Sequence, residues 1–74
     1  MIYYERIRDM REDNRYTQQA IANILSVAQR TYSDYESGRT RIPVDSLIVL
    51  AKFYNVSMDY ITGVSNIQKP FPKQ

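Results

Sequence analysis

Four side chains on one short stretch carry the types and spacing that could do chemistry: Gln29, Arg30, Ser33 and Ser37. They are related by i, i+3 and i+4 steps, so on a helix they share one outward surface. An amide and a guanidinium side by side offer paired hydrogen-bonding groups. Gln matches the edge of adenine bidentately, Arg matches guanine, and one helix fits the width of the DNA major groove. A solvated polar face is the plainer reading for an isolated helix, so the surrounding elements decide.

Those elements run from Thr17 to Gly38, TQQAIANILSVAQRTYSDYESG. Thr17 can cap a helix on which Ile21, Ala22 and Leu25 form the inner face. The pattern breaks at Ser26 and Val27, then restarts with Ala28, Tyr32 and Tyr35 at i, i+4 and i+7. Gly38 follows, where a left-handed residue ends a helix without steric cost. Two short helices joined by a turn of a few residues, the second with a face of amide and guanidinium, describe a helix-turn-helix.

Composition bounds the rest. Seventy-four residues allow one small domain, and 43% hydrophobic residues suffice for a modest helical core. There is no Cys and no His. Disulfides, Cys or His metal ligands and catalysis by either residue are thereby excluded. No stretch resembles a signal peptide, and no apolar run approaches the ~20 residues that span a bilayer. A cytoplasmic protein is expected, with no membrane partner. The net charge of +2 is small, but all seven arginines lie within the first 41 residues. Acids are interleaved among them, which favours local contacts to a polyanion over bulk attraction.

Taken in order, residues 3–14 read as a first helix with Ile7 and Met10 inside, Tyr3 one turn earlier, and Arg and acidic residues filling its outer faces. Tyr16 is placed to pack back onto Ala20 or Ile21 as a hydrophobic staple. After the loop Arg39-Thr40-Arg41-Ile42-Pro43, a fourth helix is expected over 44–54. Leu47, Leu50, Ala51 and Tyr54 form its core stripe, and Ile48, Val49 and Phe53 extend the apolar surface around the cylinder. Asn55 closes it. Ser57 caps a fifth helix, 58–62, that Gly63 stops. Residues 64–74, with two prolines and no acids, read as an extended or disordered tail. The expected domain is therefore 1–63, an all-α bundle of five short helices.

The run RIRDMREDNRYTQQAIANILSVAQRTYSDYESGRTRIP, followed by LAKFYNVSMDYITG, resembles the phage-repressor/Cro class of helix-turn-helix regulators, often called XRE-like. The likeness covers residues 6 to about 63. It is carried by Arg11, Thr17-Gln18, Ala22, Leu25, Glu36, Gly38, Pro43, Leu47, Ala51, Val56-Ser57, Asp59-Tyr60 and Gly63, in that order and spacing. The resemblance implies a lambda-repressor-like DNA-binding domain and assigns roles. Gln29, Arg30, Ser33 and Asp34 fall at base-reading or groove-facing positions. Thr17, Gln18, Thr31, Arg39, Thr40 and Arg41 fall at phosphate-contacting ones, with Gln18 also bracing Gln29. Glu36 is implied to be structural, paired with Arg11. Tyr32 matches a position that is usually apolar and inward.

Three residues depart from that pattern. Ser26 stands where Gly is common, and Ala28 replaces a polar cap. Asp34 would repel a phosphate unless it meets a cytosine amino group or pairs with Arg30 one turn back. The expected function is a sequence-specific double-stranded DNA-binding regulator, a dimeric repressor on a palindromic operator. Val49, Phe53, Tyr60 and Val64 form its candidate dimer surface, unless they only complete the core. The alternative is a protein-interaction module on the same fold, such as an antitoxin. No nucleophile–base constellation, phosphate-cradling glycine loop or metal-ligand cluster is present, so neither an enzyme nor a cofactor nor a small-molecule ligand is expected.

Overall fold

A computed structural model describes residues 1–73, so Gln74, the last residue of the expected tail, lies outside the described residues. Five helices follow in order: α1 (Tyr3–Asp13), α2 (Gln18–Leu25), α3 (Gln29–Ser37), α4 (Val44–Tyr54) and α5 (Met58–Ile61). No strand occurs among the described residues. The radius of gyration is 11.3 Å, about that of a single packed domain of this length.

Local chemistry sets the helix boundaries. The Thr17 side chain accepts the N–H of Ala20 at 3.1 Å, and Ser57 does the same for Tyr60 at 3.1 Å. Ser26 closes α2 in the left-handed conformation, at φ 58°. That geometry costs a non-glycine residue roughly 1–2 kcal/mol. It lets the amides of Ser26 and Val27 reach the carbonyls of Asn23 and Ala22 at 3.2 and 3.0 Å, which would otherwise be orphaned. Asn55 does the corresponding work after α4, at φ 55°. Ala28 precedes α3 with no side-chain cap bond, as its missing hydroxyl requires.

The core gathers one face from every helix. Ile7 and Met10 come from α1, Ile21 and Ala22 from α2, and Tyr32 and Tyr35 from α3. Leu47, Leu50 and Ala51 come from α4, Val56 from the linker and Ile61 from α5. Fully burying each large aliphatic contributes about 1.5–3 kcal/mol. Helix α3 packs on α2 and α1, while α4 and α5 close the other side. The outer surface of α3 is thus left without a neighbouring helix.

Two expectations need correction. Arg6 is not on an outer face: it is 5% exposed. Its guanidinium donates to the carbonyl of Tyr60 at 2.7 Å, to that of Ser65 at 3.3 Å and to Asn66 Oδ1 at 2.8 Å. It also stacks over the Tyr60 ring at 4.0 Å. The physical reason is periodicity: Arg6 lies on the same stripe as Tyr3, Ile7 and Met10. Tyr16 in turn lies against the end of α4, its ring 5.3 Å from Phe53 and 6.5 Å from Tyr54. Two aromatic rings there offer a larger apolar surface than Ala20 does.

Residues 64–73 contain neither helix nor strand and are bonded back to the domain. Ser65 N–H reaches the Asp59 carbonyl at 2.9 Å, Ser57 N–H reaches that of Lys69 at 2.8 Å, and Phe71 N–H reaches Asn55 Oδ1 at 3.2 Å. The Phe71 side chain packs on the core. Gly63, at φ 81°, admits this path, because a Cβ there would run into the Met1 carbonyl.

Candidate nucleic-acid interface

Gln29 and Arg30 begin α3, and both are exposed, with 81% of the Arg30 side chain open to solvent. Ser33, Asp34 and Thr31 are half-buried on the flanks of the same surface. Arg30 Nε lies 3.9 Å from Asp34 Oδ1, one turn away. That distance makes a loose ion pair, worth only a few tenths of a kcal/mol at an exposed site. The guanidinium therefore remains available to another acceptor, and Asp34 is partly neutralised. Ser37 is exposed, but its hydroxyl is used locally: it donates to the Asp34 carbonyl at 3.2 Å and accepts the Arg39 N–H at 3.4 Å.

Past Ser37 the chain turns through Gly38 at φ 77°. The ring of Tyr4 lies over this glycine, and a Cβ there would stand 2.8 Å from Tyr4 Cε2. Thr40 N–H then bonds the Asp34 carbonyl at 3.2 Å, folding the loop against the end of α3. This leaves Arg39, Thr40 and Arg41 exposed at one end of α3. The start of α2 lies beside the last turn of α3, where Gln18 meets Glu36. Thr17 is exposed there, its hydroxyl oxygen already accepting from Ala20, and Gln18 is half-buried.

A buried ion pair fixes α3 relative to its neighbours. Arg11 grips Glu36 through both carboxylate oxygens, Nε to Oε2 at 2.7 Å and Nη2 to Oε1 at 3.0 Å. Its remaining arm donates to the Tyr16 carbonyl at 3.0 Å. Gln18 Nε2 adds a third bond to Glu36 Oε1 at 3.2 Å. Gln18 is implied to brace Gln29, but the side-chain bond it makes among the described residues is to Glu36. One carboxylate thus joins α1, α2 and α3, and Arg11 extends the link to the α1–α2 turn.

Burial by itself raises the pKa of Glu36, but the bonds from Arg11 and Gln18, helped by the Tyr32 hydroxyl beside the carboxylate, outweigh it and hold the carboxyl below its ordinary 4.5. Arg11 is raised in turn, chiefly by its bond to Glu36. Burial, reinforced by the same carboxylate, pushes the Tyr32 and Tyr54 phenols far above the usual tyrosine range. Both hydroxyls are buried without a hydrogen-bond partner among the described residues, although Tyr32 stands beside Glu36. Of the candidate dimer residues, Val49, Phe53 and Val64 are exposed, whereas Tyr60 is half-buried beneath Arg6.

An exposed polar helix held by its neighbours through a buried ion pair, with arginines at the following turn, is the layout of a helix-turn-helix domain. The chain matches the Helix-turn-helix family over residues 7–61 and belongs to it. Among its relatives is the uncharacterized HTH-type transcriptional regulator YobD of Bacillus subtilis (strain 168). It is 33% identical over 69 residues, which span 93% of this chain and 62% of that protein. The cryptic phage CTXphi transcriptional repressor RstR of Vibrio cholerae is 34% identical over 55 residues, 74% of this chain and 50% of the repressor. This chain therefore spans between half and two thirds of the length of these two relatives. A crystal structure of a transcriptional regulator from Listeria innocua superposes with a TM-score of 0.79 at 30% identity, covering 82% of this chain and 57% of that one.

Proposed function

We propose that this chain is the DNA-reading domain of a transcriptional regulator, a repressor that places α3 in the major groove of double-stranded DNA. The observation that carries this reading is the pair Gln29 and Arg30, exposed on a helix whose opposite face is locked by Arg11, Glu36 and Gln18. A rigid helix with free amide and guanidinium groups can register with base edges, which a mobile one does poorly. Ser33 and Asp34 complete the base-facing set. Thr17, Gln18, Thr31, Arg39, Thr40 and Arg41 take the flanking phosphates, Gln18 through whatever donor capacity its bond to Glu36 leaves. The relatives, a transcriptional regulator and a phage repressor, agree with this reading. No helix is long and apolar enough to cross a membrane among the described residues, and action in the cytoplasm follows from the regulatory role.

One reading helix touches few base pairs, so a two-fold dimer on a palindromic operator supplies the selectivity. Half-site centres would then lie roughly 34 Å apart. Val49, Phe53 and Val64, with Tyr60 beside them and the tail after residue 63, are the dimer surface on this reading. Selection of bound sequences from random duplexes tests it: a palindrome with that spacing is expected, and a single unpaired half-site excludes the dimer. Arg30→Ala should relax preference at one base pair by ~1–3 kcal/mol, while Arg41→Ala weakens all sequences alike and lowers the salt slope by about 1. Equal loss on specific and random DNA for both variants removes Arg30 from base recognition.

A further inference from the structure

Beside the loop that follows α3, the start of α1, the start of α4 and the end of α5 border an open cleft of about 240 Å³. Tyr3, Ile42, Val44 and Leu47 supply its apolar lining, and Arg41 and Thr62 its polar groups. The Thr62 hydroxyl is already spent on the Met58 carbonyl at 2.7 Å. Arg41 is different, since it makes neither an ion pair nor a side-chain hydrogen bond among the described residues. An apolar hollow with one uncompensated guanidinium and no carboxylate in its lining is complementary to a molecule with an apolar body and an anionic end. Two features act on the charge in opposite senses. The first turn of α4, which contributes Val44, has no side-chain cap and leaves N–H groups that favour an anion. Asp45 lies on the same turn outside the lining and opposes it.

We propose that this cleft is a binding site for a small amphipathic carboxylate. A hollow of this size and openness suits a small molecule. The apolar chain lies against Tyr3, Ile42 and Leu47, and the carboxylate pairs with Arg41. Because Arg41 is also assigned to a DNA phosphate, occupancy of the cleft withdraws it from the duplex. This coupling, unlike the site itself, rests on the DNA-binding reading. Linkage makes it reciprocal: DNA must weaken the acid by the factor by which the acid weakens DNA.

The test is a titration of the isotope-labelled full chain with hexanoate and, separately, with hexanamide, followed by amide chemical shifts without DNA. Saturable shifts confined to Tyr3, Ile42, Val44, Leu47 and Thr62 are expected, with the acid bound about tenfold more tightly than the amide. Arg41→Gln should equalise the two ligands. Val44→Glu, at a position 63% exposed and therefore tolerant of a polar side chain, should abolish acid binding while leaving the spectrum folded. Equal binding of acid and amide by the natural chain, shifts centred elsewhere, or no saturation overturns the site. Hexanoate bound in the cleft with DNA affinity unmoved overturns the coupling. A chain that binds hexanoate but no DNA at low salt overturns the DNA reading and leaves the site standing.

Discussion

Glu36 accepts bonds from two side chains that belong to different helices, and its carboxylate is only 4% exposed. Removing the charge leaves Arg11 enclosed without a counter-ion. Glu36→Gln should therefore lower the unfolding free energy by about 3 kcal/mol, the lower end of the range for breaking a buried pair, because Arg11 keeps some solvent access. The pH dependence follows from the depressed pKa. Above the ordinary value of 4.5 the stabilising contribution is complete, and it is lost as pH falls through the lower folded-state value. Urea unfolding at neutral pH and at pH ~3 should show the natural chain losing more stability than Glu36→Gln across that interval. A difference between the two proteins that does not change with pH would mean that Glu36 titrates alike in both states.

The reading helix is held from outside more than by its own start. Ala28 offers no acceptor to the amides of the first turn, and the backbone there is extended, at φ −68° and ψ 150°. That is already the geometry of a capping residue, so Ala28→Ser needs no rearrangement for its hydroxyl to accept a first-turn N–H. The variant should gain about 1 kcal/mol, read as a higher urea midpoint at unchanged slope. If the midpoint stays where it is, the first-turn amides of α3 are already satisfied by water at no cost. Tyr4 over Gly38 contributes from the other end. Its ring leaves no room for a side chain at the turn, and so bears on where Arg39 and Arg41 stand.

At the scale of the molecule, Arg6 joins the beginning of the chain to its end. It has no carboxylate partner among the described residues, and its charge is met by two main-chain carbonyls, an amide oxygen and an aromatic face. Arg6→Leu should release residues 64–73 ahead of the bundle. Hydrogen exchange of the Ser57 and Ser65 amides, which bond to Lys69 and Asp59, should accelerate severalfold more than exchange in α2 and α3. Uniform acceleration along the chain would assign Arg6 to the core of global stability and not to the segment it touches. Much of this architecture was legible in one dimension. Caps at Thr17 and Ser57, left-handed closures at Ser26, Gly38 and Asn55, and i, i+3, i+4 apolar spacing are local properties, and local sterics and hydrogen bonding decide them. The pairing of Arg11 with Glu36 came from family likeness, since no local rule connects residues 25 apart. Arg6 lay on a legible stripe, yet charge type argued against periodicity. What overturned that argument was a set of carbonyls and an aromatic ring more than fifty residues away. The same holds for Tyr16 on Phe53, for Gln18 on Glu36, and for the cleft beside Arg41. By itself the sequence determined five helices, their ends and the polar face of one of them, because neighbours along the chain set those. Only the tertiary structure decided which polar groups are already occupied and which remain free to bind, because the partners that occupy them are brought together by packing alone.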